Sequence, residues 1–340
     1  MSLPPSEIPL GAMRFNSDSQ KLEYWMGSAW MQIKTFSPNL DGGVRGFAAG
    51  GTTPGYTATI DFYTIPIQGN AQDFGDLTIA KGNGVAGFAS RTRGVAAGGF
   101  DPTANYKRID FVTMSSTGDA TDFGDLTSNR EGPMGLSSET RGIAAAGWSR
   151  PNSSNIQEID YVTIAVAANS IDFGDLITPT NYGAGTASPT RGLLIAGNIP
   201  APGDMYNRIE FITIATTGNA QEFGELKQAH QYTVSGAANS TRALAWGGST
   251  IPSTDTATNI IEFITIATKG NGINFGDMTR AVKGAGASAS STRSVCLGGN
   301  FENIIEYVEI STQGNAVDFG DATAGRNYGS SFSNGHGGIG

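Results

Sequence analysis

The sequence predicts an all-β fold: a six-bladed β-propeller closed by a C-terminal strand and preceded by a small N-terminal β-meander. Three observations predict it. One unit of about fifty residues recurs six times, each unit holds four strand-like segments, and the first and last units are complementary in phase.

The unit is plainest in Asp73-Phe74-Gly75-Asp76-Leu77, which returns at 122–126 and 172–176, as Glu-Phe-Gly-Glu-Leu at 222–226, as Asn-Phe-Gly-Asp-Met at 274–278 and as Asp-Phe-Gly-Asp-Ala at 318–322. The steps are 49, 50, 50, 52 and 44 residues. Its aromatic members, Phe74, Phe123, Phe173, Phe223, Phe275 and Phe319, read as core anchors, and its glycine as a bend. In step with it runs an arginine followed by small apolar residues and a glycine: Arg45, Arg93, Arg141, Arg191, Arg242 and Arg293. A third segment alternates β-branched and aromatic residues with polar ones, as in 59–65, 108–114, 158–164, 208–214, 260–266 and 304–310, and so reads as a strand. The Gly-Asn pairs ahead of the Asp-Phe-Gly-Asp unit (Gly69-Asn70, Gly218-Asn219, Gly314-Asn315) are read as hairpin turns. The fourth segment, at 84–90, 134–138, 182–188, 233–239, 284–290 and 328–334, is dominated by Gly, Ala, Ser and Thr. Such residues fit the innermost strand of a blade, where six strands converge on a channel.

Phase supplies the closure. The first unit begins near Val44 with no small-residue strand of its own, whereas the chain ends by supplying one at Tyr328 to Asn334. Pairing it with Arg45 to Gly51 completes the first blade and leaves no open edge between first and last. Residues 43–340 are therefore the expected propeller, and 1–42 an N-terminal meander and linker outside the repeat. In 11–33 the strands are read as Met13 to Phe15, Leu22 to Trp25 and Trp30 to Ile33, with turns at Asn16 to Ser19 and Gly27-Ser28. Two tryptophans in so short a segment need more than its own surface to bury them.

The repeat resembles the kelch family: a Gly pair, an alternating strand with a Tyr or Phe, a bulky aromatic and then a basic residue, matched in order by Gly98-Gly99, Ile109 to Met114, Phe123 and Arg130. Phe replaces the usual Trp, and the basic residue found at Lys81, Arg130, Arg280 and Arg326 is missing after Leu176. The N-terminal segment resembles a module of bacteriophage fibres and appendages on Gly11, Arg14, Phe15, Asn16, Lys21, Leu22, Glu23, Tyr24, Gly27 and Trp30. The repeats are also similar to structural proteins of marine phages, including cyanophages. These resemblances imply a virion location. They imply a non-enzymatic structural protein, foremost a tail fibre or tail appendage component that presents the propeller for host-surface adhesion or assembly. A head-decoration or tail-connector protein is the alternative, and a secreted kelch-like lectin or carbohydrate-active enzyme the reading from another class.

Composition bounds the rest. A net charge of -9 argues against nucleic acid. No apolar run reaches transmembrane length, so no membrane insertion is expected, and residues 1–15 lack the basic start and apolar stretch of a Sec signal peptide. Cys296 is the only cysteine and sits in an apolar strand, and His230 and His336 lie in different units. No catalytic, cofactor or metal residue is therefore assigned, and no cofactor is expected. The acids of Asp-Phe-Gly-Asp could hold Ca²⁺, but the favoured reading pairs its second acid (Asp76, Asp125, Asp175, Glu225, Asp277, Asp321) with the six arginines. If that pairing fails, a cationic, anion-binding rim takes its place. A kinase reading of Asp-Phe-Gly fails because six copies at one interval are architecture.

What breaks the symmetry is the set of loops between the Gly pair and the alternating strand, at 52–58, 100–107, 148–157, 198–207 and 249–259. Their aromatics Tyr56, Tyr106, Trp148 and Tyr206 are the candidate binding residues, for a glycan or a protein surface. Arg14, Phe15, Tyr24, Trp25 and Trp30 are the candidate virion-docking residues. Expected partners are other virion proteins, a host-surface glycan or protein, and further copies of the chain in a homo-oligomer or multi-copy assembly.

Overall fold

The structure is a computed structural model that describes residues 8–16, 21–32, 44–100, 107–199, 205–230, 236–249 and 256–335. The chain divides into two compact units, Met1–Asp41 and Gly42–Gly340. Among the described residues every regular element is a β-strand.

The first unit is a three-stranded antiparallel meander, Met13–Asn16, Lys21–Trp25 and Trp30–Gln32. Strand alternation puts Met13, Phe15, Leu22, Tyr24 and Met31 on one face and Arg14, Glu23, Trp25 and Trp30 on the other.

The second unit contains six four-stranded antiparallel sheets among its described residues. In pairing order, sheet 1 is Ser330–Ser333, Arg45–Ala49, Thr59–Thr64 and Gln72–Asp76. Sheet 2 is Ala86–Ala89, Arg93–Ala97, Arg108–Thr113 and Thr121–Asp125, and sheet 3 is Met134–Ser137, Arg141–Ala145, Glu158–Thr163 and Ile171–Asp175. Sheet 4 is Ala184–Ala187, Arg191–Asn198, Met205–Thr213 and Gln221–His230. Sheet 5 is Gly236–Ala238, Arg242–Trp246, Thr258–Thr265 and Ile273–Val282, and sheet 6 is Gly286–Ala289, Arg293–Leu297, Ile304–Glu309 and Val317–Asp321. The C-terminal strand pairs with Arg45–Ala49 in the register Ser330↔Ala49 to Ser333↔Gly46.

Each first strand lies beside the first strand of the next sheet, and that of sheet 6 lies beside that of sheet 1. Small residues are required there: a Cβ on Gly135 would stand 2.5 Å from the Gly87 carbonyl oxygen. The apolar core is correspondingly divided among neighbouring sheets. Phe47, Ile60 and Phe74 of sheet 1 pack with Val112 and Met114 of sheet 2, and Tyr63 and Ile65 of sheet 1 pack with Val295, Ile305 and Phe319 of sheet 6.

Every fourth strand carries the Asp-Phe-Gly-Asp unit on a bulge. Asp122 and Gly124 face consecutive residues Asp110 and Ile109, so Phe123 is the extra residue and turns inward. The six phenylalanines are buried. Each meets the aromatic ring of its own third strand edge-on, with centroids 5.8 to 6.2 Å apart and planes at 70 to 80°. The glycine has a reason beyond bending: with φ at 147°, a Cβ on Gly320 would lie 2.5 Å from the Gly69 carbonyl oxygen of the next sheet.

That close approach corrects the reading of the Gly-Asn pairs. In sheet 1 the turn lies at 65–67, closed by the Ile67 amide on the Thr64 carbonyl. Gly69-Asn70 instead runs along the fourth strand of sheet 6, the Gly69 amide donating to the Phe319 carbonyl and the Ala71 amide to the Asp321 carbonyl. The Asn70 side chain accepts from the Asp321 amide. The same side-chain contact joins every consecutive pair of sheets, at 3.0 to 3.1 Å, through Asp119, Asn169, Asn219, Asn271 and Asn315.

The predicted arginine–carboxylate pairs do not form. Each repeat arginine lays its guanidinium 4.6 to 5.0 Å from the third-strand ring of its own sheet. Its Nη1 donates to a carbonyl past the third strand of the next sheet: Arg45 to Met114, Arg93 to Ile164, Arg141 to Ile214, Arg191 to Ile266, Arg242 to Ile310 and Arg293 to Pro66. Of the second acids, Asp125 pairs with Lys107 instead.

The buried ion pairs lie elsewhere. An acid at the centre of each third strand is buried: Asp61, Asp110, Asp160, Glu210, Glu262 and Glu306. The segment after the preceding sheet's fourth strand holds it. Asp61 accepts from the Thr323 hydroxyl and amide and from Arg326, Asp110 from the Thr78 hydroxyl with Lys81 at 3.0 Å, and Asp160 from Thr127 with Arg130 at 3.3 Å. These are the basic residues of the kelch-like pattern. Where Thr-x-x-Lys/Arg is lost the acid is Glu, which accepts from the Ile177, Lys227 or Thr279 amide, and Glu306 also from the Thr279 hydroxyl with Arg280 at 3.5 Å.

Two stability outcomes follow. Gly320→Ala is expected to destabilise by about 2–4 kcal/mol in a urea titration, whereas Gly69→Ala, which meets open space, costs about 1 kcal/mol. Arg326→Met strands the Asp61 carboxylate in the core and is expected to cost about 3–5 kcal/mol. A loss below 1 kcal/mol in the same titration contradicts the buried pair.

Candidate functional site

The first strands of all six sheets line a cavity of about 70 Å³. Its walls are backbone, small apolar side chains and the hydroxyls of residues such as Ser137, Thr186 and Ser288, with Phe88, Met134 and Phe332 as the larger members. Among the described residues no charged side chain lines it. Its chemistry is that of a packed, hydroxyl-lined channel.

At the strand ends that carry the variable loops, Tyr182 and Tyr328 meet with centroids 5.8 Å apart. Both hold left-handed backbone, φ 52° and 56°, a conformation that costs a non-glycine residue about 1–2 kcal/mol. The sheets beside them make room by omission. A Cβ on Gly132 would lie 2.9 Å from the Tyr182 ring, and one on Gly284 would lie 2.7 Å from the Tyr328 ring. The two Asn-Tyr-Gly triplets, at 181–183 and 327–329, were the available sequence signal for this pair.

Between sheets 1, 2 and 3 the loops build an asymmetric cluster. Tyr56 packs against Phe100 at 5.1 Å, and the Arg150 guanidinium lies over Phe100 at 4.5 Å. The Arg150 Nε donates to the Glu131 carboxylate at 3.1 Å, and the Asn83 amide donates to the Tyr56 hydroxyl at 3.5 Å. Burial raises the Glu131 pKa above the usual carboxylate value, opposed by Arg150 and by a hydrogen bond from Asn83. Trp148, part-exposed, opens a two-stranded hairpin, Trp148–Ser149 with Ser154–Asn155, and exchanges backbone hydrogen bonds with Glu131. Beside that hairpin the Asn155 and Asn181 side-chain oxygens are buried without a hydrogen-bond partner.

Of the candidate binding aromatics, Tyr56 and Trp148 thus stand in one sector. Tyr206 is placed by its backbone, paired with Gly197 and His230. Tyr106 lies outside the described residues, as does His336. Asn83, Glu131 and Arg150 were not singled out, though each departs from the repeat.

The candidate docking residues separate onto two faces. Trp25 is buried against Trp30 at 5.4 Å, and Arg14 lies over Trp30 at 4.2 Å while pairing with Glu23 at 2.9 Å. A hydrogen bond from Asn16 and the Arg14 guanidinium hold the Glu23 pKa below its usual value. Phe15, by contrast, is 65% exposed, beside Met13, Leu22 and Met31. Arg14, Trp25 and Trp30 therefore stabilise the meander, and Phe15 and Tyr24 share the face that carries its exposed apolar side chains.

Among the described residues no group of three or more His, Cys, Asp or Glu side chains is placed to hold a metal ion. Cys296 is buried, and burial raises its thiol pKa. No protein-family model and no curated protein matches the chain.

Because folding raises the Glu131 pKa, its contribution is present at pH below the unfolded value and is lost as pH rises through the folded one. Glu131→Gln is expected to flatten this part of the stability–pH profile. Thermal melts from pH 4 to 8 check it, and a variant profile parallel to that of the wild type would count against the assignment.

Proposed function

We propose that residues 43–340 form a closed six-bladed, kelch-like β-propeller, and that the chain is a non-enzymatic structural protein of a bacteriophage virion. In this reading it is a tail fibre or tail appendage component whose N-terminal meander joins the particle. The propeller then meets the host surface with its loop end. Ring closure is supported by the C-terminal strand on Arg45–Ala49 and by the run of neighbouring first strands that returns from sheet 6 to sheet 1. The virion assignment rests on the sequence resemblance of the repeat and of the N-terminal segment to phage structural proteins.

One observation carries the adhesion role: the features that recur in all six sheets are engaged between sheets, whereas Tyr56, Phe100, Trp148, Glu131 and Arg150 occur in one sector. Part-exposed aromatics fixed by a cation and an amide suit a glycan or a protein surface. The exposed apolar face of the meander, Met13, Phe15, Leu22 and Met31, favours contact with other virion chains and keeps a head-decoration or tail-connector role as the second reading.

Particles carrying Trp148→Ala with Arg150→Ala are expected to adsorb to host cells at least ~10-fold more slowly, with particle yield unchanged. Unchanged adsorption removes the adhesion role. Lost particle yield with normal folding points to the second reading.

A further inference from the structure

At the strand ends opposite the variable loops, the repeat arginines form a second surface. The charged side chains of the connections there are Arg91, Asp119, Glu139 and Lys269; Glu309 ends a third strand, and the exposed Asp73, Asp122, Asp172, Glu222 and Asp318 stand second in fourth strands. Of these acids Glu139 pairs with Arg91 at 3.5 Å, Glu309 with the Nε of Arg293 at 2.6 Å, and Asp119 accepts from the Asp76 amide. Arg45, Arg93, Arg141, Arg191 and Arg242 hold their carbonyls through Nη1. Among the described residues none of these five forms an ion pair, and their Nε–Nη2 edges meet no protein acceptor. All five are part-exposed.

The charge is densest where sheets 4 and 5 meet. Arg191 lies 4.9 Å from the Phe211 centroid, and so does the Lys269 Nζ, so one ring carries two cations. Neither cation forms an ion pair with an acid among the described residues. Two like charges beside one aromatic ring repel unless a counter-charge joins them. This stands in a chain whose net charge is -9, so the cationic rim is local and runs against the composition.

We propose that this rim binds a partner that presents several oxyanions, phosphate or carboxylate, with Arg191 and Lys269 as its strongest point. The Nε–Nη2 edge of a guanidinium matches two oxygens of either group. The carbonyl and the aromatic ring hold each head in place before the partner arrives, so little side-chain entropy remains to be lost. The site is independent of the adhesion reading, since it uses the other ends of the strands.

The test is binding of the full chain to immobilised long-chain polyphosphate and to polyglutamate in low salt, with Lys269→Glu as the variant. Lys269 donates to no inter-sheet carbonyl, so its loss leaves the staples whole. Lys227→Glu, at an exposed residue on the loop end, is the control. The wild type is expected to bind at least one polymer, ~10-fold more weakly when salt rises from about 25 to 150 mM. Lys269→Glu is expected to weaken binding about fivefold and Lys227→Glu to leave it unchanged. Binding to polyphosphate alone identifies a phosphate-bearing partner and to polyglutamate alone a carboxylate-bearing one, and binding to both leaves the oxyanion as the recognised group. Binding to neither, or equal loss in the two variants, overturns the proposal.

Discussion

The structure depends on how closely neighbouring sheets must approach. A four-stranded sheet of this size has two faces to cover, and each is covered by another copy of the same unit. At the first strands, backbones stand so near that Gly135 has no room for a Cβ beside Gly87. At the fourth strands, Gly320 meets the Gly69 carbonyl in the same way. Between these contacts each junction receives an aromatic cluster, an arginine-to-carbonyl bond and a buried acid. The junction between sheet 6 and sheet 1 is built like the others, with Arg293, Phe319, Asn70, Asp61 and Arg326 in the same roles.

That demand decides which residues are left for recognition. Side chains that repeat are engaged at junctions, so their periodicity reports packing. The loops carry no such obligation, and there the sheets differ: Tyr56, Phe100 and Arg150 gather in one sector, and two strained tyrosines meet near the cavity. At the opposite end five of the six arginines meet the junction's need with one nitrogen each, which leaves the rest of those guanidinium groups without a protein acceptor among the described residues.

Much of the all-β architecture was legible because period and strand pattern agree. The four segments per unit, the inward phenylalanines and the pairing of the C-terminal strand with Arg45–Ala49 could all be read from the chain. The ion pairs could not. In Thr-Ile-Asp-Phe-Tyr-Thr, strict alternation assigns Asp61 to a face shared with Ile65 and Tyr63 only if its register is known, and an acid ordinarily reads as solvated. Arg326 and Asp61 are also far apart in sequence, so no local spacing announces the pair. The arginines misled for the complementary reason. Charge pointed to carboxylates, but the nearest unsatisfied acceptors at that end are carbonyls where the third strands stop. The Gly-Asn pairs have turn composition and serve instead as extended partners to the neighbouring sheet. In the loop sector, Glu131 and Arg150 become meaningful only when sheets 1 to 3 are brought together.

The central claim is that the two ends of the second unit complete one sheet and make the sixth junction equal to the other five. Native-state amide hydrogen exchange on the full chain tests it most directly. Protection of the Gly46–Ala49 and Ser330–Ser333 amides should match that of Gly94–Ala97 and Ala86–Ala89 in sheet 2. Rapid exchange in both terminal segments, with sheet 2 still protected, would contradict the account.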